Sequence, residues 1–163
     1  MALNPLINER GYPQLFPREV VVVVYPGVYG GLALQNNLTL RSRGTLYLSN
    51  ARLIFITDQF MQTQFNFALH LNLISRERPV YISAACTYYE GYALPYGNYM
   101  PAPGVFKFEM TQDPRPILLQ IQRFLGQIRA QGLHVVSSSD PPPPKLTGNA
   151  AYVDPNDPDI LII

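Results

Sequence analysis

A mainly β domain of about seven strands, closed by one C-terminal α-helix, is the fold class the sequence predicts. Three observations carry that expectation. Residues 44–56, GTLYLSNARLIFI, hold two short alternating runs around the turn-forming Ser49-Asn50-Ala51, a hairpin signal. Residues 19–25, EVVVVVY, are dominated by β-branched side chains, which suits a strand buried on both faces better than a short helix. Only residues 113–131 show apolar positions at helical spacing.

The elements follow in chain order. After the strand at 19–25, Pro26-Gly27-Val28-Tyr29-Gly30-Gly31 reads as a turn, and Leu32 to Leu40 as a second strand interrupted at Gln35-Asn36-Asn37. The hairpin supplies the next two. Further strands are expected around Gln64 to Phe67, around Val80 to Cys86, and from Val105 to Met110, where Phe106 and Phe108 alternate with Lys107 and Glu109. Leu69, Leu71 and Leu73 alternate as well, in a strand or an extended connection. In the helix Asp113 can cap, Pro114 suits the first helical position, and Ile117, Ile121, Phe124 and Ile128 recur at i, i+4, i+7 and i+11, with Gly132 a suitable stop. The domain is therefore expected over residues 15–132, after an N-terminal extension of residues 1–14. Residues 133–163, with four consecutive prolines among Ser, Asp, Asn and Gly, read as a disordered acidic tail whose apolar Ile160-Leu161-Ile162-Ile163 end docks on the domain or on a partner.

Charge is unevenly spread. Net charge is +1, yet residues 1–134 carry 11 Lys/Arg against 7 Asp/Glu, and residues 135–163 one Lys against four Asp. Neither a strongly basic nucleic-acid binder nor an acidic polyelectrolyte is implied, and sequence-specific nucleic-acid binding is not expected. MALNPLINERG lacks the pattern of a secretory signal, and no apolar run reaches the length of a membrane-spanning helix, so an intracellular, soluble protein is expected. The single Cys86 can form no internal disulfide.

Gly44 to Ile56 resembles the hallmark hairpin of GRAM domains, and strands followed by one C-terminal helix is the element order of pleckstrin-homology (PH)-like folds. Together with the MALN start, Gln62-Thr63-Gln64-Phe65, Pro79-Val80-Tyr81-Ile82 and the proline-bearing tail, the chain resembles the family of WW domain-binding protein 2 and the postacrosomal sheath WW domain-binding protein. The resemblance implies a PH-like (GRAM) two-sheet β-barrel or sandwich. It also implies a non-enzymatic adaptor in cytoplasm and nucleus, a transcriptional coactivator that recruits WW-domain proteins through its tail. The chain departs from the family pattern in one respect: Pro-Pro-x-Tyr, the motif that enters a WW domain, is absent.

Candidate contact residues form three groups. Tyr88, Tyr89, Tyr92, Tyr96 and Tyr99 crowd into TYYEGYALPYGNYMPAPG, which reads as a long loop that either contacts a protein partner or folds onto its own barrel. Pro141, Pro142, Pro143 and Pro144 serve as a ligand for a WW or other proline-recognising domain or as a plain linker, and Tyr152 is the nearest tyrosine to them. Arg41 and Arg43, with Arg76 and Arg78, are candidates for weak contact with an anionic membrane; phosphoinositide binding is the alternative function. Arg52 in the hairpin either meets a ligand or pairs with a carboxylate or carbonyls while its stem packs on the sheet. No catalytic residue, metal or cofactor is expected. His70 and His134 are the only imidazoles, Cys86 has no cationic neighbour in sequence, the carboxylates lack metal-ligand spacing, and Gly27, Gly30 and Gly31 do not lead into a helix.

Overall fold

The structure is a computed structural model that describes residues 2, 3, 5, 7–34, 39–58, 65–83, 86–95, 103–130, 152–154 and 157–162. A short β1 (Ala2–Leu3) is followed by seven main strands: β2 (Val21–Leu34), β3 (Thr39–Ser49), β4 (Arg52–Thr57), β5 (Phe67–His70), β6 (Ile74–Ser83), β7 (Cys86–Ala93) and β8 (Gly104–Met110). A 3-10 turn at Leu71–Leu73 joins β5 to β6, and the helix α1 spans Arg115–Ala130. The main strands pair antiparallel in the order β5-β4-β3-β2-β8-β7-β6 as one curled half-barrel. The two packed sheets expected from the sequence are thus the two halves of a single bent sheet.

Strand β2 makes the bend. The Pro26-Gly27 pair, expected to end a strand, lies inside it instead. Tyr25 pairs with Leu46 and Val28 with Gly44, so β2 has one residue more than β3 across this step, a β-bulge. Gly27 sits at φ 73°, a left-handed conformation that costs a residue without Cβ nothing, and exposed Pro26 forfeits a donor that the bulge leaves unpaired. Beyond the bulge, Tyr29–Ala33 pair with β3 on one side, and Tyr29–Leu34 pair with Gly104–Glu109 of β8 on the other. One strand therefore serves both halves.

The hairpin β3–β4 forms where the alternation places it, with Leu46, Leu48, Leu53 and Phe55 on the inner face. Phe55 and Phe67 lie 5.2 Å apart between ring centroids, Phe67 and Phe108 5.7 Å, and Phe106 and Phe108 5.7 Å, so aromatic rings join the two halves through the centre. Each such ring contributes about 2 kcal/mol by leaving water. Helix α1 closes the core with Ile117, Leu118, Ile121 and Leu125. It starts one residue later than expected: the Pro114 carbonyl accepts the first helical bond, from the Leu118 amide at 3.0 Å, and the Arg115 amide donates to Asp113 Oδ1 at 3.1 Å.

A second, smaller cluster lies on the outer face of β3–β5. Tyr47, Ile54, Ile56 and Ala68 point outward there and are covered by Leu15, and Tyr12 meets the Tyr47 ring edge-on at 6.4 Å. The residues before β2 thus form a strap over this part of the sheet. In the segment read as a disordered tail, Tyr152–Asp154 and Asp157–Ile162 are strands, β9 and β10, paired with each other, and Tyr152 aligns in parallel with Val21. The β-favouring Tyr-Val run meets the first residue of β2, and the Ile-Leu-Ile run pairs back on β9.

Candidate functional site

Arg52 is a structural residue. Its Nε and Nη2 reach Glu19 Oε1 and Oε2 at 2.8 and 2.7 Å, and Nη2 also donates to the Gln14 carbonyl at 3.0 Å. The Phe16 ring lies under the guanidinium at 3.9 Å, the Phe16 amide donates to Glu19 Oε2, and the Ser49 hydroxyl donates to Glu19 Oε1. With the two side chains only 4% and 1% exposed, the pair fastens the strap to the hairpin. His70 stacks on Phe16 at 5.9 Å. Burial, with the positive N-terminal ammonium and Arg52 near by, pushes its pKa down to about 2, so the imidazole is neutral. Cys86, the other reactive side chain considered, opens β7.

The strap leaves the outer face of the other strands open. Three rows of cross-strand neighbours cover it. In the first, Arg43, Tyr29, Glu109 and Tyr88 follow one another on β3, β2, β8 and β7. The second holds Arg41, Gly31, Lys107, Glu90 and, on β6, Arg78; the third holds Thr39, Ala33, Val105, Tyr92 and Ser75. Tyr29, Tyr92 and Val105 are 40%, 50% and 41% exposed. Each tyrosine of the face has a cation over its ring: Arg41 over Tyr29 at 5.9 Å, Lys107 over Tyr88 at 3.7 Å and Arg76 over Tyr92 at 5.7 Å.

Carboxylates fix three of the bases. Arg41 meets Glu109 at 2.9 Å, Arg78 meets Glu90 at 2.9 Å, and Arg43 lies 3.7 Å from Asp58. Two shallow depressions result. One has Gly31 as its floor, where the missing side chain leaves space between Arg41 and Lys107, and Tyr29 and Tyr88 as walls. The other lies between Arg76, Arg78, Glu90 and Tyr92, and Val105 borders both.

This face unites residues that the sequence scattered. Arg41, Arg43, Arg76, Arg78, Tyr88 and Tyr92 all belong to it. The long tyrosine loop is corrected by the structure, because Tyr88, Tyr89 and Tyr92 lie on strand β7, whose alternation sends Tyr88 and Tyr92 outward and Tyr89 into the core. Tyr89 is 2% exposed, and burial raises the pKa of its hydroxyl, so it is no contact residue. Tyr96, Tyr99 and Pro141 to Pro144 lie outside the described residues, and Tyr152 is described only as a backbone position in β9. Tyr29, Gly31, Val105 and Lys107 were missed. Lys107 and Glu109 carried a signal, since they alternate with Phe106 and Phe108 and so had to face outward.

No protein-family model and no curated protein matches the sequence. Among solved structures the chain is similar to the Vps36 N-terminal PH domain, with 17% identity and a TM-score of 0.58 over 79% of this chain and 96% of that one. A chain of the 8S snRNP assembly intermediate is similar at 12% identity and a TM-score of 0.45, over 78% of this chain and 94% of that one. The likeness to the Vps36 domain matches the strand order and terminal helix seen here: the chain has a PH-like fold.

Proposed function

We propose that this chain is a non-enzymatic protein-binding module, an adaptor that holds its partner on the open outer face of β3-β2-β8-β7-β6. The observation that carries the reading is the contrast between the two parts of the outer surface. The apolar residues over β3–β5 are covered by the strap, while Tyr29, Val105 and Tyr92 stay exposed beside stacked cations. Rigid aromatic rings beside guanidinium groups are the side chains that dominate binding energy at protein interfaces. Partner capture from cell extract tests it, with the full chain compared with a Tyr29→Ser/Tyr92→Ser variant of matched thermal stability. Proteins retained by the native chain and lost by the variant are the expected result; an unchanged set sinks the proposal.

A second reading rests on Arg41, Arg43, Arg76, Arg78 and Lys107 sharing that face: attachment to an anionic membrane. Sedimentation with phosphatidylserine vesicles that weakens with salt, and disappears when the four arginines become Glu, would transfer the function there. Recruitment of WW domains, a coactivator role, and residence in cytoplasm and nucleus come from the family resemblance. The first of these is tested by titrating the tail, residues 135–163, against WW and SH3 domains beside a Pro141→Ala/Pro142→Ala variant.

A further inference from the structure

The two depressions restrict the chemistry of the partner. Five cations and three carboxylates, Glu90, Glu109 and Asp58, give the open face a net charge of +2. Three of the cations are tied to those carboxylates. Lys107 and Arg76 meet no carboxylate among the described residues; their contacts there are the rings of Tyr88 and Tyr92. Each depression therefore contains one cation whose charge is uncompensated and whose position is held by a tyrosine.

The backbone contributes to this arrangement. Ser75 pairs with Tyr92 and Arg78 with Glu90, so β6 carries an extra residue at Arg76-Glu77, and Arg76 adopts φ 52°, a left-handed conformation unfavourable to a residue with a Cβ. Glu77 binds Arg129 of α1 at 2.8 Å, while the Arg76 guanidinium lies over Tyr92. Strain of this kind persists where the surroundings impose it, and here it accompanies a cation displayed at the rim of a depression.

Val105, on β8 two residues from Lys107 and paired with Tyr92, whose ring lies under Arg76, borders both depressions. Lys107 is on β8 and Arg76 on β6, two strand spacings or about 10 Å apart across the sheet, a span an extended peptide covers in about three residues. We infer that the face binds a short acidic segment of a partner protein, with an apolar residue seated at Val105 and carboxylates on either side reaching Lys107 and Arg76. Charge complementarity favours a peptide over a membrane. The uncompensated charge is confined to two cations set among the paired carboxylates Glu90 and Glu109, a discrete pattern that single acidic side chains of a peptide match more closely than a continuous anionic lipid surface does.

The inference rests on the protein-binding reading, and the experiment separates the two. The full chain is used to select binders from a display library of random peptides, and an enriched peptide, fluorescently labelled, is titrated by anisotropy. Enrichment of Asp and Glu around an apolar residue is expected. A Lys107→Glu/Arg76→Glu variant should lose about tenfold in affinity, and exchanging the peptide's acids for lysines should restore part of it. Gly31→Leu should weaken binding while leaving the fold intact, because a Cβ at Gly31 meets its nearest backbone oxygen at an ordinary 3.5 Å. Peptides without acidic bias, or affinities indifferent to these variants, overturn the inference even if partner capture still depends on Tyr29 and Tyr92. Failure to enrich any peptide, with phosphatidylserine vesicles binding through Lys107 and Arg76 instead, overturns it in favour of a membrane.

Discussion

Arg52 shows how a conspicuous charged residue can belong to the scaffold. Its guanidinium, the Glu19 carboxylate and the Ser49 hydroxyl satisfy one another beneath Phe16, so removing one member strands the others away from water. Arg52→Met should lower stability by about 3–5 kcal/mol in urea unfolding, and adding Glu19→Gln should recover part of that loss. His70 allows a second test. Its pKa in the fold, about 2, lies below the ordinary value of 6.5, so below pH 6.5 the unfolded chain takes up a proton that the fold refuses. The stabilising effect of the neutral imidazole is complete above pH 6.5 and is lost as pH falls towards 2, at up to about 1.4 kcal/mol per pH unit. Between about pH 6.5 and 5, above the usual carboxylate range, His70→Gln should flatten the decline in unfolding free energy. The sequence showed an arginine on a buried hairpin and so pointed to pairing. It could not name Glu19, because a contact across 33 residues leaves no local pattern.

At the scale of elements, close backbone approach decides which glycines are replaceable. A methyl group at Gly44 would overlap the Ile56 carbonyl oxygen on the neighbouring strand β4, which cannot move without breaking the hairpin. Gly44→Ala should therefore cost roughly 2–4 kcal/mol, while Gly31→Ala, on the open face, should stay within about 1 kcal/mol; thermal unfolding of the two variants checks the contrast. The hairpin and the helix were legible because alternation and capping are local signals. Two other elements were misread for physical reasons. Pro-Gly is a strong turn signal, yet a bulge demands the same residue types, and only the pairing partners Leu46 and Gly44 distinguish the two. The tyrosine run was read as a loop because of its Gly and Pro, although Thr87, Tyr89, Gly91 and Ala93 are buried alternately with Tyr88, Glu90 and Tyr92. Most of the site was therefore visible as residue types but not as a surface: which strands stand side by side is a property of the whole sheet.

For the molecule as a whole, closure of the half-barrel depends on α1 and the 3-10 turn between its ends, and Arg129–Glu77 ties the last turn of α1 to β6. Because Arg129 is 55% exposed, Arg129→Ala should cost no more than about 1 kcal/mol, and its effect should be local. Hydrogen exchange is expected to quicken at the end of α1 and around Glu77 while the amides of β3 and β4 keep their protection; uniform loss would mean that the helix and sheet open as one unit. The sharing of β2 between the halves has a further consequence for fragments of the chain. A polypeptide ending after His70 would keep the partners of β2 in β3 but lose β8, leaving Tyr29–Leu34 as a bare hydrogen-bonding edge with half the aromatic centre uncovered. Such a piece would recruit further copies of itself into aggregates instead of folding as a smaller domain, so β6–β8 must be made before the first half of the chain can settle.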